Sequence, residues 1–282
     1  MSDRGFRIGL VQLNTGTDPV QAREQAEGLI REAKEKGAAL VILPEHADVI
    51  VRREKEYGYP VPGPVSHWYS SLAKELGIYL HCGSLTEENP DDEKGRPYNT
   101  SLLFSPEGEI LASYRKLHLF DVTLPDGNGV RESAGSSPGR EIVVAKTELC
   151  TLGMSICYDL RFPELFRLQA LEGAELLVVS ANFTAATGCA NWESLLRARA
   201  IENSCYVAAV NQCGEKPFFK AWGHTMLIDP WGTVVGELDG ESPGLLMGTI
   251  DPELVQRTRR KLPLQENRRT DIYLLKREGE QR

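Results

Sequence analysis

The chain has 282 residues, and its 32 lysines and arginines face 40 aspartates and glutamates, a formal net charge of −8. That acidic balance argues against nucleic acid as a partner, because a phosphate backbone calls for a basic footprint. No run reaches the roughly 18 consecutive apolar residues of a membrane span, and the opening residues lack the apolar region and cleavage site of an export signal, so no membrane partner and a cytoplasmic location are expected.

Residues 6–13 (FRIGLVQL) read as a strand. Residues 19–36 read as a helix, with Asp18 as N-cap, Pro19 at the first helical position and Gly37 as its stop. The apolar run 40–43 (LVIL) predicts a buried strand, and 64–76 a helix ended by Gly77. Strands are expected at 78–85, 100–104 and 110–116, with a polar hairpin-like loop at 87–96. Residues 121–140 (DVTLPDGNGVRESAGSSPGR) predict a long loop, and a loop of that length inside a compact domain is usually functional. Strands at 141–145 and 152–156, a helix at 162–172, a strand at 176–180, a helix at 191–202 and a strand at 205–211 follow. Two antiparallel strands, 224–229 and 233–238, flank the turn Pro230-Trp231-Gly232. The chain then gives a strand at 244–250, a short basic helix from Asp251 and an apolar stretch at 271–275 (DIYLL). Helices between some strands and hairpins between others predict an α/β protein of mixed sheets with helices outside. No linker divides the chain, so a single domain over 1–282 is expected.

Six cysteines at 82, 150, 157, 189, 205 and 213 form no CxxC pair and read as free thiols of a reducing compartment. The five histidines show no metal-ligand spacing, and phosphate-binding loops are absent, so no metal and no cofactor are expected. His118 and His224 read as hydrogen-bonded structural residues. Cys157 stands where an apolar strand runs into a turn and then a helix, which exposes a side chain beside backbone N–H groups that can hold an oxyanion. A helix N-terminus there would lower the thiol's pKa. Glu45 closes the apolar run LVILP, where desolvation would raise its pKa toward neutrality and suit it to proton transfer. Lys116 ends another strand, where an ammonium could hold an oxyanion. Taken singly, each has a plain alternative: a buried small thiol, a solvent-facing acid, a surface lysine. Cys82, Cys150 and Cys205 read as core, and Cys189 and Cys213 as loop thiols.

The motifs Leu43-Pro44-Glu45, 114–121 (YRKLHLFD) and 153–164 (GMSICYDLRFPE), in that order, resemble the nitrilase superfamily of carbon–nitrogen hydrolases. The resemblance runs from Ile8 to Tyr273. It implies a four-layer α-β-β-α sandwich and a Glu-Lys-Cys triad, which would be Glu45, Lys116 and Cys157. A second family glutamate is matched by Glu132, in Glu132-Ser133, and would position the lysine and the substrate's amide nitrogen. Lys116 and the N–H of Tyr158 would hold the oxyanion, and Glu45 would carry the proton through a thioester acyl-enzyme that releases ammonia. Neither metal nor organic cofactor is implied. A homodimer or a higher even-numbered assembly is expected, with a core of about 6–252 and the tail, 253–282, at the interface.

The YRKLHLFD and CYDLRFPE runs look like the amidase branch that contains omega-amidase and deaminated glutathione amidase. Residues 195–202 (LLRARAIE), 212–214, 223–226 and 229–235 lean toward the second. The segment 180–192 (SANFTAATGCANW) departs from that branch. Asn182 looks inserted, Cys189 stands where proline is expected, and Asn191 where histidine is. In the family this segment lines the pocket, so Asn182, Phe183, Thr184, Thr187 and Asn191 are expected to select the acyl chain. Arg197 and Arg199 lie on a helix and are expected to pair with Glu193 or Glu202. The implied activity is hydrolysis of a small carboxylate-bearing amide. An N-carbamoyl-amine hydrolase or another aliphatic amidase is the alternative within the superfamily, and a non-catalytic binding member the alternative outside enzymology.

Overall fold

The computed structural model describes residues 4–51, 57–123 and 129–277; the middle of the 121–140 segment and the last five residues lie outside these. In chain order the elements are β1 (Phe6–Gln12), α1 (Pro19–Glu35), β2 (Leu40–Ile42), α2 (Pro64–Leu76), β3 (Tyr79–Glu87), β4 (Tyr98–Phe104) and β5 (Ile110–Arg115). They continue with β6 (Asp121–Thr123), β7 (Gly129–Arg131), β8 (Val144–Lys146), β9 (Thr151–Ile156), α3 (Pro163–Leu171), β10 (Leu176–Ala181) and α4 (Ala185–Asn203). The last are β11 (Tyr206–Asn211), β12 (Met226–Ile228), β13 (Val234–Glu237), β14 (Gly244–Ile250) and α5 (Pro252–Lys261).

One six-stranded sheet runs β14-β1-β2-β3-β4-β5 and the other β13-β12-β11-β10-β9-β8. In each, three central strands are parallel and the flanking ones antiparallel. Side-chain alternation explains the layering. In β2, Leu40 and Ile42 enter the cluster between the sheets, while Val41 and the following Leu43 face α1 and α2. In β10, Leu176 and Val178 face inward, and Leu177, Val179 and Ala181 face α3 and α4. Strands apolar on both faces are what a sheet covered on both sides demands. Each fully buried Leu or Ile contributes about 1.5–3 kcal/mol. A one-residue slip would exchange the two faces of a strand at once, so register is strongly held. The result is the expected α-β-β-α sandwich.

Local signals act as read. The Asp18 carboxylate accepts from the Val20 N–H at 2.8 Å and caps α1, and Gly77, at φ 58°, ends α2 in the left-handed region. Four details differ. Helix α4 begins at Ala185, well before 191. The stretch AATGCAN carries no apolar stripe for periodicity to detect, though alanine favours helix. Cys189 is consequently an exposed helical thiol, and Cys213 is buried. The 121–140 segment is not bare loop: β6 pairs antiparallel with β7, and Glu132–Ala134 form a 3-10 turn. The strand expected at 141–145 is displaced to Val144–Lys146, where it pairs with β9. Finally, the core does not stop at 252, because Val255 of α5 is fully buried in the cluster between the sheets. Beyond α5, Ile272, Tyr273 and Leu274 are exposed by 72%, 55% and 52%. Among the described residues no helix is long and apolar enough to cross a membrane.

Candidate active site

Glu45 follows β2 by way of Leu43 and Pro44, a turn pinned from both sheets. Ser180 of β10 donates its Oγ–H to the Leu43 carbonyl at 2.8 Å. Gly83 of β3 lies against the same turn, where a Cβ would come within 2.0 Å of the Leu43 oxygen and 2.1 Å of the Pro44 oxygen. No other residue fits there. Glu45 is thereby carried inside, 3% exposed. Its Oε1 accepts from the Asn99 amide at 2.8 Å and from Lys116 Nζ at 3.0 Å. Its Oε2 accepts from the Asn182 N–H at 2.8 Å.

Lys116 directly follows β5, and its N–H extends the pairing with β4 by donating to the Asn99 carbonyl at 2.9 Å. Its Nζ lies 3.0 Å from both carboxylate oxygens of Glu132 as well as from Glu45. Glu132 in turn accepts from the Phe120 N–H at 2.5 Å. Ser133 fastens that 3-10 turn to β6 by donating its N–H and Oγ–H to Asp121 at 3.0 and 2.6 Å.

Cys157 ends β9 at φ 49° and opens the 3-10 turn Cys157–Arg161. A non-glycine residue in the left-handed region stores strain that the surroundings must hold, a recurring feature of nucleophile turns. Asp159, fully buried, does the holding. It accepts from the Ile156 N–H at 2.8 Å, the Tyr114 hydroxyl at 2.6 Å, the His118 N–H at 3.1 Å and His118 Nδ1 at 2.7 Å. One carboxylate therefore bolts the turn on one sheet to the residues flanking Lys116 on the other. His118 also stacks on Phe162, with centroids 3.7 Å apart. The Tyr158 N–H, second in the 3-10 turn, has no carbonyl upstream in that turn to bond to.

The charges correct two expectations. Burial pushes the Glu45 carboxyl up, but the Lys116 ammonium and His46 outweigh it and hold it at about 2, not near neutrality. Burial, reinforced by the Glu45 charge, pushes the Cys157 thiol well above its ordinary range, against the lowering from Lys116 and the Asn182 N–H. Desolvation would discharge Lys116, but Glu132 and Glu45 hold it protonated. The resting constellation is thus a protonated thiol, an ionised carboxylate and an ammonium lining one cavity. A thiol, a carboxylate and an ammonium in one cavity are what a nucleophile, a base and a charge-stabilising group require.

These groups form the floor of a cavity of about 360 Å³. Tyr158, Asn182, Phe183, Thr184 and Thr187 line it, as do Phe120, Val130, Phe218 and Phe219. Asn182 Oδ1 is buried without a partner, and the Thr184 and Thr187 hydroxyls share a 3.1 Å hydrogen bond. Asn191 is not on the cavity wall; its Oδ1 accepts from Arg161 at 3.0 Å. Arg197 pairs with Glu193 at 3.2 Å and Arg199 with Glu202 at 3.0 Å. His224 meets Glu237 at 2.6 Å. The sequence reading did not single out Asn99, Asp159, His46, Arg131 or the Phe218-Phe219 loop. Asp159, three positions after a strand end, was an available signal; Asn99 was not set apart, because the buried strand β4 also carries the polar Thr100 and Ser101. Among the described residues no group of three or more His, Cys, Asp or Glu side chains could hold a metal ion.

Two covered sheets bring a thiol, a carboxylate and an ammonium together at their seam. The chain belongs to the carbon–nitrogen hydrolase family, whose profile matches residues 7–260, and within it to the amidase branch of the nitrilase superfamily. It is 38% identical over 271 residues to the omega-amidase of Xenopus tropicalis, covering 95% of this chain and 96% of that one. It is 43% identical over 251 residues to the deaminated glutathione amidase of Mus musculus, covering 87% and 77%. The crystal structure of the NitFhit protein of C. elegans matches with a TM-score of 0.89 at 36% identity, over 98% of this chain and 68% of that one.

Proposed function

We propose that this amidase hydrolyses the C–N bond of a small carboxylate-bearing amide through a Glu45-Lys116-Cys157 triad and a thioester on Cys157. The observation that carries the reading is the meeting of Lys116 Nζ with Glu45 at 3.0 Å in the cavity that Cys157 also lines. Glu45, already ionised, takes the thiol proton as sulfur attacks the amide carbon. The developing oxyanion sits between Lys116 and the Tyr158 N–H. Glu45 then gives its proton to the departing nitrogen, and ammonia leaves. A water deprotonated by Glu45 attacks the thioester, and its proton returns to sulfur as the acid is released. Glu132 keeps Lys116 in place, and Asn182 Oδ1 accepts from the substrate's amide N–H.

The substrate class is supported by the relatives, an omega-amidase and a deaminated glutathione amidase. An N-carbamoyl-amine hydrolase or another aliphatic amidase remains the second reading. Ammonia release across a panel of small amides, including deaminated glutathione and α-ketoglutaramate, tests it. Turnover of an acid-bearing amide is expected. Carbon dioxide released with ammonia from a carbamoyl amine would favour the second reading, and no ammonia beyond that of Cys157→Ala on any member would overturn both. The reading includes a twofold homodimer or higher even-numbered assembly, supported by the exposed Ile272, Tyr273 and Leu274 and checked by light scattering. It also includes a cytoplasmic setting, supported by the free cysteines and checked by fractionation.

A further inference from the structure

The reaction consumes only an amide, so a preference for acid-bearing substrates needs a cation elsewhere in the cavity. The basic side chains lining it are His46, Lys116 and Arg131, and the acidic ones Glu45 and Glu132. Lys116 is committed, held at 3.0 Å by both glutamates. Arg131 is not. Its Nη1 donates to the carbonyls of Val122 at 2.7 Å and Val130 at 2.8 Å. Among the described residues no carboxylate lies within ion-pair distance of it. Those two bonds anchor one corner of the guanidinium and leave Nε and Nη2, the edge that matches a carboxylate bidentately.

Its position suits the task. Arg131 directly precedes Glu132, so the backbone that steadies Lys116 also sets Arg131 beside the reacting end. Yet Arg131 is exposed, whereas Lys116 is 2% exposed. It therefore stands at the rim while the chemistry lies at the floor. The same cavity is lined by the apolar side chains of Phe120, Val130 and Phe183, suited to an acyl chain. Resting on the amidase reading above, we propose that Arg131 is a specificity residue that grips a carboxylate at the substrate end remote from the amide.

The test compares two amides of equal length, one ending in a carboxylate and the other in its methyl ester. Arg131→Gln is expected to lower the acid-to-ester ratio of kcat/KM by about 10–100-fold, mainly through KM of the acid, the scale of a charge-assisted bidentate pair. Arg131→Lys keeps the charge without the fork and should fall between. Arg131→Glu should move the preference toward an amide ending in an ammonium. Should a variant fail to fold, the native enzyme gives a second reading: added salt should erode its preference for the acid, because an exposed cation is screened. A ratio unmoved in every variant and by salt overturns the proposal. Equal loss of kcat on both substrates overturns it too, since that assigns Arg131 to holding the Glu132 turn. If the native enzyme turns over neither amide, the amidase reading itself fails and this inference falls with it.

Discussion

The floor of the cavity and its rim are built on opposite principles. Glu45, Lys116 and Cys157 each follow a strand of a buried sheet, and bonds between the sheets pin them: Asn182 to Glu45, and Asp159, which also braces its own Cys157 turn, to Tyr114 and His118 on either side of Lys116. The rim comprises the β6–β7 pair, the start of α4 and the Phe218-Phe219 loop, joined by bonds between turns and loops such as Ser133 to Asp121 and the Ala185 N–H to the Lys220 carbonyl. The floor is over-determined and should tolerate no substitution; the rim can change without disturbing the sandwich. On the proposed mechanism, reaction type belongs to the floor and substrate choice to the rim.

The largest expected effect separates them outright. Cys157→Ala should abolish ammonia release with the circular dichroism spectrum intact, whereas Cys189→Ala, on the exposed face of α4, should retain turnover. Next, Glu45→Gln removes the base in nearly the same shape and should cost about 10²–10⁴-fold in kcat. Lys116→Met should cost a similar amount by removing charge beside the oxyanion. Joint action in one step predicts a double variant far above the product of the singles, and independent multiplication would break the unit. A smaller effect concerns pH. Glu45 works as a base only when ionised, and Lys116 holds its pKa well below the ordinary 4.5. The acid limb of kcat/KM should accordingly lie below pH 4.5 over the range where the fold survives; a limb near 6 would mean that desolvation wins over Lys116. Smallest is the rim. Thr187→Val should raise KM a few-fold or reorder the amide panel, and Asn191→Ala should do less, because it acts only through Arg161.

The same contrast explains what could be read from the sequence. Apolar runs such as LVIL and GMSI announce buried strands and made Glu45 and Cys157 at their ends legible as candidates; Lys116, after the largely exposed β5, was a weaker one, and only the ordered motifs joined the three. Glu132 was legible only through the family resemblance, because nothing local says that a glutamate in a Gly/Ser-rich segment reaches Lys116. Their charge states were not legible, since desolvation and a neighbouring ammonium act in opposite senses on Glu45 and only distances decide between them. Helix α4 was cut short because its first turns carry no apolar stripe. Arg131 and Phe218 were passed over because a rim is assembled by turns that join distant segments, and periodicity says nothing about where turns meet.

One pairing has a bearing on how the chain is made. Strand β1 lies between β2 and β14, and its partner along seven register positions, from Phe6–Ile250 to Gln12–Gly244, comes from the far end of the sequence. At ribosomal speeds of about 5–20 residues per second, β1 emerges roughly 10–50 s before that partner exists. For that interval one edge of an apolar strand is an open template, the geometry that invites mispairing between chains. That edge of β1 is therefore capped only once β14 has been made. A chain stopped before Gly244 should keep every residue of the floor and still sediment as aggregate, whereas supplying residues 244–277 in trans should restore some of it to solution.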